Sequence, residues 1–260
     1  MTPDAVEAAV RSGQSLNHAD LYQLNLSGLD LSHADLQGAI LLRSRLDEAN
    51  LTRANLADAD LRGASLVKTV LQQANLQGAC LYRVDLSGAD LREANLTDIQ
   101  LKFARYDSHT MFPEGFNYRS SEAIGPKANL NGAPLNTANL RFVDLQEANL
   151  LGAYLGGTDL TGANLRSARL VLADLRGATL TGAFLRQARI NNANLARADL
   201  RAADFTEAGF EQFESIAGAD FSQAQGLTDE MRSQLLSHPA EQLDEIHPLT
   251  LKSTRESLEK

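Results

Sequence analysis

The sequence predicts an all-β solenoid with a short capping helix at each end and one insertion loop in mid-chain. Three observations carry that prediction. A leucine stands at every fifth residue, an alanine stands two residues before most of those leucines, and a turn-forming residue, often glycine, stands two residues after them. From Leu16 to Leu101 the fifth position is leucine 18 times without exception. Between Leu130 and Phe210 it is held by 14 leucines, Ile190, Phe205 and Phe210. On an α-helix a five-residue step turns the side chain through about 140° each time and scatters the leucines over every side. On a flat strand an odd period sends alternate leucines to opposite faces. The pattern closes if each repeat is a short extended segment followed by a corner. With the leucine as residue i, Ala at i−2 and Leu at i then face one interior axis, and residue i−1 points outward.

The elements follow in order. Residues 1–13 read as a capping helix, with Thr2 as N-cap, Pro3 and Asp4 in the first turn, Gly13 at the end, and Val6 and Val10 over the first coil. Residues 14–105 form the first repeat array. Its i−1 positions are short and polar (Asp20, Asn25, Asp30, Asp35), and glycine recurs at i+2 (Gly28, Gly38, Gly63), where a corner is required. Residues 106–127 break the rhythm, and Met111, Phe112 and Phe116 are too apolar for a freely solvated loop, which is therefore expected to fold back on the coils. Residues 128–224 form the second array, one step out of phase with the first. Residues 225–260 hold a second helix, begun by Thr228 and stopped at His238 and Pro239, with Met231, Leu235 and Leu236 on one side. From about residue 240 the chain reads as loosely ordered. The phenylalanines near the end, Phe205, Phe210, Phe213 and Phe221, read as a lid over the last coil or as a surface for a homodimer.

Segments such as Ala34-Asp35-Leu36-Gln37-Gly38, Ala49-Asn50-Leu51-Thr52-Arg53 and Ala74-Asn75-Leu76-Gln77-Gly78 carry an A(D/N)LXX signature. On these repeats the chain resembles the pentapeptide repeat proteins, and its interruption resembles that of cyanobacterial-type bacterial members. The resemblance implies a right-handed quadrilateral β-helix with four repeats per coil, forming a stiff rod of about nine coils with flat faces and no cleft. Leu56, Leu61, Leu76 and Leu165 would then be structural core. Repeats stacked on one side would also present Tyr22, Leu42, Arg43, Arg62, Tyr82, Arg83, Lys102 and Phe103 together. That mixture of aromatic and cationic side chains is the composition enriched in protein interfaces. It reads as a candidate interaction face, or as incidental side chains on a regular surface. The loop residues Met111, Phe112 and Phe116 read as a second recognition element, or as a tolerated insertion.

Composition narrows the function. No apolar run reaches the length of a membrane span, and the sequence opens without a basic stretch followed by an apolar one, so a cytoplasmic protein without a membrane partner is expected. One cysteine, Cys80, and five scattered histidines give no metal or disulfide pattern, and no phosphate-binding glycine motif is present. The expectation is a protein that is not an enzyme and takes no cofactor or metal. The net charge of −9 disfavours nucleic acid as a partner. The resemblance offers one sharper activity, mimicry of duplex DNA by members that bind a type II topoisomerase (gyrase) and protect it from quinolones. Here the first array carries 11 acids against 9 bases, and residues 129–224 carry 10 against 8, which breaks a continuous negative track. An interaction scaffold or regulator with an unidentified protein partner is the preferred expectation.

Overall fold

The structure is a computed structural model that describes residues 1–209 and 211–259. The central position expected at Phe210 lies outside the described residues. The chain forms two compact units, Met1–Gly125 and Pro126–Lys260.

Within each unit, parallel bridges join residue i−1 of one repeat to the residue twenty positions on. In the first unit Asp20 pairs with Ile40, Ile40 with Asp60 and Asp60 with Cys80; in the second, Asn129 pairs with Asn149 and Asn149 with Arg169. One coil is therefore four repeats. The pairing takes the form of isolated bridges and not of longer strands, because each extended segment is interrupted by a corner after one bridged residue. The backbone closes each corner as a β-turn, as when the Ala34 N–H donates to the Leu31 carbonyl at 3.1 Å. The residue at i+2 then takes a positive φ: +59° at His33, +59° at Arg53 and +61° at Gly38. Glycine favours this conformation, yet many corners hold other residues in it. At Gly38 the missing Cβ leaves room for the His18 imidazole of the neighbouring coil to lie against the corner.

The short polar residues at i−1 also acquire a cause. Their side-chain oxygen accepts the N–H of residue i+1, as in Tyr22 to Asp20 (3.1 Å) and Ser32 to Asp30 (3.1 Å), which pins the start of the turn. The same groups form ladders between coils: Asn55, Asn75 and Asn95 each donate to the residue above, at 3.1, 3.1 and 3.0 Å.

Every described central residue of the two arrays is buried, and Leu56, Leu61, Leu76 and Leu165 are wholly so. Where a hydroxyl replaces the usual alanine, it satisfies itself on a backbone carbonyl. Thr69 donates to Leu46 and Thr158 to Leu135, each at 2.7 Å.

Helix α1 (Pro3–Arg11) is capped by the Thr2 side chain and buries Val6 and Ala9; Val10 is only half-buried. The interruption is smaller than the sequence suggests. Tyr106 is buried in a central position, Met111 bridges Asp90, and Ile124 bridges Arg105, so the chain stays in the ladder at both ends of the loop. Only the stretch between Met111 and Ile124, with a short 3-10 helix at Tyr118–Ser120, leaves it.

At the other end a one-residue insertion changes the bridge spacing to 21, as in Asn194 to Ser215, and brings Ile216 and Phe221 into the core. Three helices follow: α2 (Asp229–Leu235), α3 (Ala240–Leu243) and α4 (Thr254–Leu258). The expectation of a loosely ordered segment from residue 240 is thereby corrected. Leu243, His247 and Leu258 are buried, and a capping box between Ser253 and Glu256 starts α4. The Thr254 hydroxyl donates to the Ile216 carbonyl at 3.0 Å, and the Phe221 N–H donates to Ser257 Oγ at 3.1 Å. These are single polar contacts without periodicity, so the hydrophobic pattern does not reveal them. Phe205, Phe213 and Phe221 are buried by their own chain, and Phe205 packs on Phe221 at 6.2 Å. The homodimer expectation is corrected for these three rings, because none is exposed to a second copy.

Candidate functional site

In the first unit the repeats centred on Leu21, Leu41, Leu61, Leu81 and Leu101 lie on one side, as the bridges from Asp20 through Ile40, Asp60 and Cys80 to Gln100 require. The eight residues of the candidate face therefore share that side, although only part of it is knitted together. Tyr82 and Phe103 are half-buried and meet edge to face at 5.8 Å. The Arg83 guanidinium lies 5.1 Å from the Tyr82 ring centre and the Lys102 ammonium 5.5 Å from that of Phe103. Each ring thus carries a cation over its face, an arrangement that contributes about 0.5–1 kcal/mol when exposed. Lys102 is further held by Glu122 at 2.6 Å.

Arg62 is spoken for differently. Its Nε and Nη2 donate to the two Asp60 oxygens at 2.8 and 2.6 Å, and this pairing holds the Asp60 carboxyl below its usual range. Tyr22 and Ile40 are exposed, Arg43 is exposed and Leu42 half-buried. At about 4.8 Å per coil, Tyr22 lies roughly 14 Å from Tyr82 along the side. Cys80 is a half-buried free thiol on the same side.

The loop adjoins this face. The Phe103 N–H donates to the Glu122 carbonyl at 2.9 Å, so the end of the loop runs beside the Tyr82 and Phe103 pair. Inside the loop, Phe112 stacks on Tyr118 at 4.7 Å and on Phe116 at 5.7 Å, and the buried Tyr106 meets Phe112 and Tyr118 edge to face at 5.5 and 5.4 Å. Arg119 lies 5.9 Å over the Tyr118 ring, and Met111 is exposed. Phe112 folds back onto the buried central residue Tyr106 and carries Phe116 with it, whereas Met111 is exposed, contrary to the expectation for that residue. Sequence reasoning missed Tyr106, Tyr118, Arg119 and Glu122. Tyr106 alone left a signal, since it continues the five-residue count beyond Leu101.

Among the described residues, no group of three or more His, Cys, Asp or Glu is placed to hold a metal ion, and no helix is long and apolar enough to cross a membrane.

The chain matches no curated protein sequence. Among solved structures it is similar to HetL, a pentapeptide repeat protein involved in heterocyst differentiation regulation in the cyanobacterium Nostoc. That similarity runs at 27% identity over 86% of this chain and 94% of that one, with a TM-score of 0.40. It is also similar to alr5209, a pentapeptide repeat protein of Nostoc, at 33% identity over 48% of this chain and 96% of that one, TM-score 0.38. A third similarity is to QnrB1, a plasmid-mediated fluoroquinolone resistance protein, at 19% identity over 75% and 84% of the two chains, TM-score 0.29. The family described as pentapeptide repeats matches residues 15–53, 49–88, 69–105, 138–177 and 168–206. With more than half its length matched and twenty-residue coils built from five-residue repeats, the chain belongs to the pentapeptide repeat family.

Proposed function

We propose that this protein is a non-enzymatic interaction scaffold or regulator that binds a protein partner through the outer faces of its coils, in a reducing cytoplasmic setting that its single cysteine suits. In this reading the arrays at residues 14–105 and 128–224 are right-handed β-helices of square cross-section. The recognition surface is the face carrying Tyr82, Arg83, Lys102 and Phe103, together with the adjoining loop of Met111, Phe112 and Phe116. One observation carries the reading: two half-buried rings meet edge to face, each with a cation over it, and the end of the loop is tied to them through Glu122. Pre-ordered aromatic and cationic side chains lose little entropy on binding and are the types that dominate interface energetics.

Capture of the partner from native extract tests this. The double variant Tyr82→Ala with Arg83→Glu is expected to lose the partner while keeping its far-UV circular dichroism. Undiminished capture refutes the assignment of the face.

DNA mimicry of the kind that engages gyrase is the weaker alternative. Acidic side chains that a mimic would present are consumed by arginine: Arg62 pairs with Asp60, Arg92 with Asp90, Arg176 with Asp174 and Arg201 with Asp199. Gyrase supercoiling is therefore expected to proceed normally with micromolar protein present, and inhibition would reinstate mimicry.

A further inference from the structure

The repeat has a built-in way to neutralise an arginine at i+1, namely an aspartate at i−1 of the same repeat. It is used at Arg62, Arg92, Arg176 and Arg201, each held by two charge-assisted hydrogen bonds. In the second unit three arginines at i+1 lack it, and one of them, Arg141 beside Asn139, pairs instead with Asp159 of the next coil at 3.1 Å. Arg166 and Arg186 stand at i+1, but their i−1 residues are Asn164 and Phe184. On the next side Arg169 and Arg189 occupy i−1 themselves and are directly bridged to one another. All four are exposed, and Arg166, Arg169 and Arg189 make no ion pair among the described residues. Arg186 reaches one carboxylate, Asp204 of the next coil, at 4.0 Å. Over two successive coils these two sides therefore present four arginines and no acid, in a chain whose net charge is −9.

Such an arrangement works against stability. Directly opposed like charges on paired segments are destabilising. Leu172, beside Arg169 at a corner of the same left-handed form as the others, leaves a bulky apolar side chain 60% exposed. Phe184, on the other flank, is 48% exposed. Opposed like charges with no structural gain, next to exposed apolar side chains, mark a surface kept for something it binds.

We propose that this corner, Arg166, Arg169, Arg186 and Arg189 flanked by Phe184 and Leu172, docks an acidic helical segment of a protein partner. The spacing supports a helix. Carboxylates at i and i+4 lie about 5–6 Å apart on one helix face, which matches the roughly 4.8 Å between arginines on successive coils. Leu172 and Phe184 supply apolar contacts for the residues between them. A nucleic acid fits less well. The coil before carries Asp144 and Glu147 on these sides and the coil after carries Asp204 and Glu207, so the positive field spans about 10 Å, around one Debye length, before a long polyanion would meet carboxylates.

The proposal rests on reading the protein as an interaction module, but on a surface separate from the face of the first unit. The probe below is read in isolation, so its failure leaves that face untouched, and failed partner capture there leaves this corner untouched. The experiment is fluorescence anisotropy of the full chain with a labelled, helix-stabilised peptide of about 15 residues bearing Glu pairs at i and i+4 and two leucines. A single-stranded oligonucleotide of equal charge is run in parallel. The peptide is expected to bind, and Arg169→Glu with Arg189→Glu to weaken it by about tenfold or more, whereas Arg53→Glu on the first unit leaves it unchanged. The milder pair Arg169→Gln with Arg189→Gln provides the reading if the glutamates unfold the protein, and it is expected to melt no lower than the wild type. No binding by the wild type, equal binding by either arginine pair variant, or tighter binding of the oligonucleotide overturns the proposal.

Discussion

Acidification isolates the contribution of one buried carboxylate. Asp90 is bridged on both sides, by Val70 and Met111, and only 8% of it is exposed. Its oxygens accept the Arg92 N–H at 3.1 Å, Arg92 Nε at 2.9 Å and Nη2 at 2.7 Å, and the Gln72 amide. The Arg92 side chain above all, against the cost of burial, lowers the Asp90 pKa from 3.8 to about 2. A carboxyl whose pKa falls on folding stabilises the folded form above its unfolded value and loses that contribution as pH drops through its folded value. The gap between 3.8 and about 2 is on the order of 2 kcal/mol, present in full above about pH 4.5, declining between about pH 4 and 2, and gone below. Urea unfolding of the wild type and Asp90→Asn at about pH 6, 4 and 2 reads the effect as a difference. The variant is expected to be less stable by about 2 kcal/mol at pH 6, and that difference should shrink steadily on acidification. A difference that stays constant from pH 6 to pH 2, or grows, refutes the reasoning, since the Asp90 charge would then contribute nothing specific to the folded state.

Two further perturbations probe the coils themselves. Leu76→Asp places a carboxylate at a position with no exposed surface and no partner, and is expected to cost more than about 4 kcal/mol and to remove amide-exchange protection from the neighbouring coils of the first unit. Protection retained next to the substitution would contradict a shared core. Gly132→Ala and Gly226→Ala form a matched pair at positive φ, +63° and +74°. A new Cβ meets nothing within 4 Å at Gly132 but lies 2.3 Å from the Thr206 nitrogen at Gly226. The first is expected to cost about 1 kcal/mol and the second at least about 3, read as melting temperatures; equal costs would contradict the close approach of the backbone at Gly226.

Sequence legibility followed the distribution of apolar side chains. The columns of leucine and alanine were readable because one residue type repeats at one spacing, and the cause of that spacing is burial. The role of Asp and Asn at i−1 was readable only as outward and polar; their work as acceptors for the turn depends on where the next N–H points. Helices α3 and α4 were hidden, because they are four and five residues long and are tied down by Thr254, Ser257 and His247, which follow no period. Of the candidate face, Tyr82, Arg83, Lys102 and Phe103 form a cluster, whereas Arg62 is held by Asp60 two residues away. That distinction was open to the spacing, since an arginine at i+1 with an aspartate at i−1 of its own repeat pairs at Arg62, Arg92, Arg176 and Arg201 alike. The four arginines of the second unit were visible as outward residues, but their significance emerged only against the aspartate-paired arginines elsewhere.

The twenty-residue pairing has a consequence for how such a chain can change. Removing five residues ahead of Arg169 within its array would swing everything downstream onto the adjacent wall, so that Arg169 and Arg189 would no longer share a flank with the residues that preceded them. Removing twenty would leave every wall in step and shorten the stack by one storey. Insertions and deletions in these arrays therefore act as quarter rotations, and only whole-coil changes preserve the alignment of a surface motif with what lies above it.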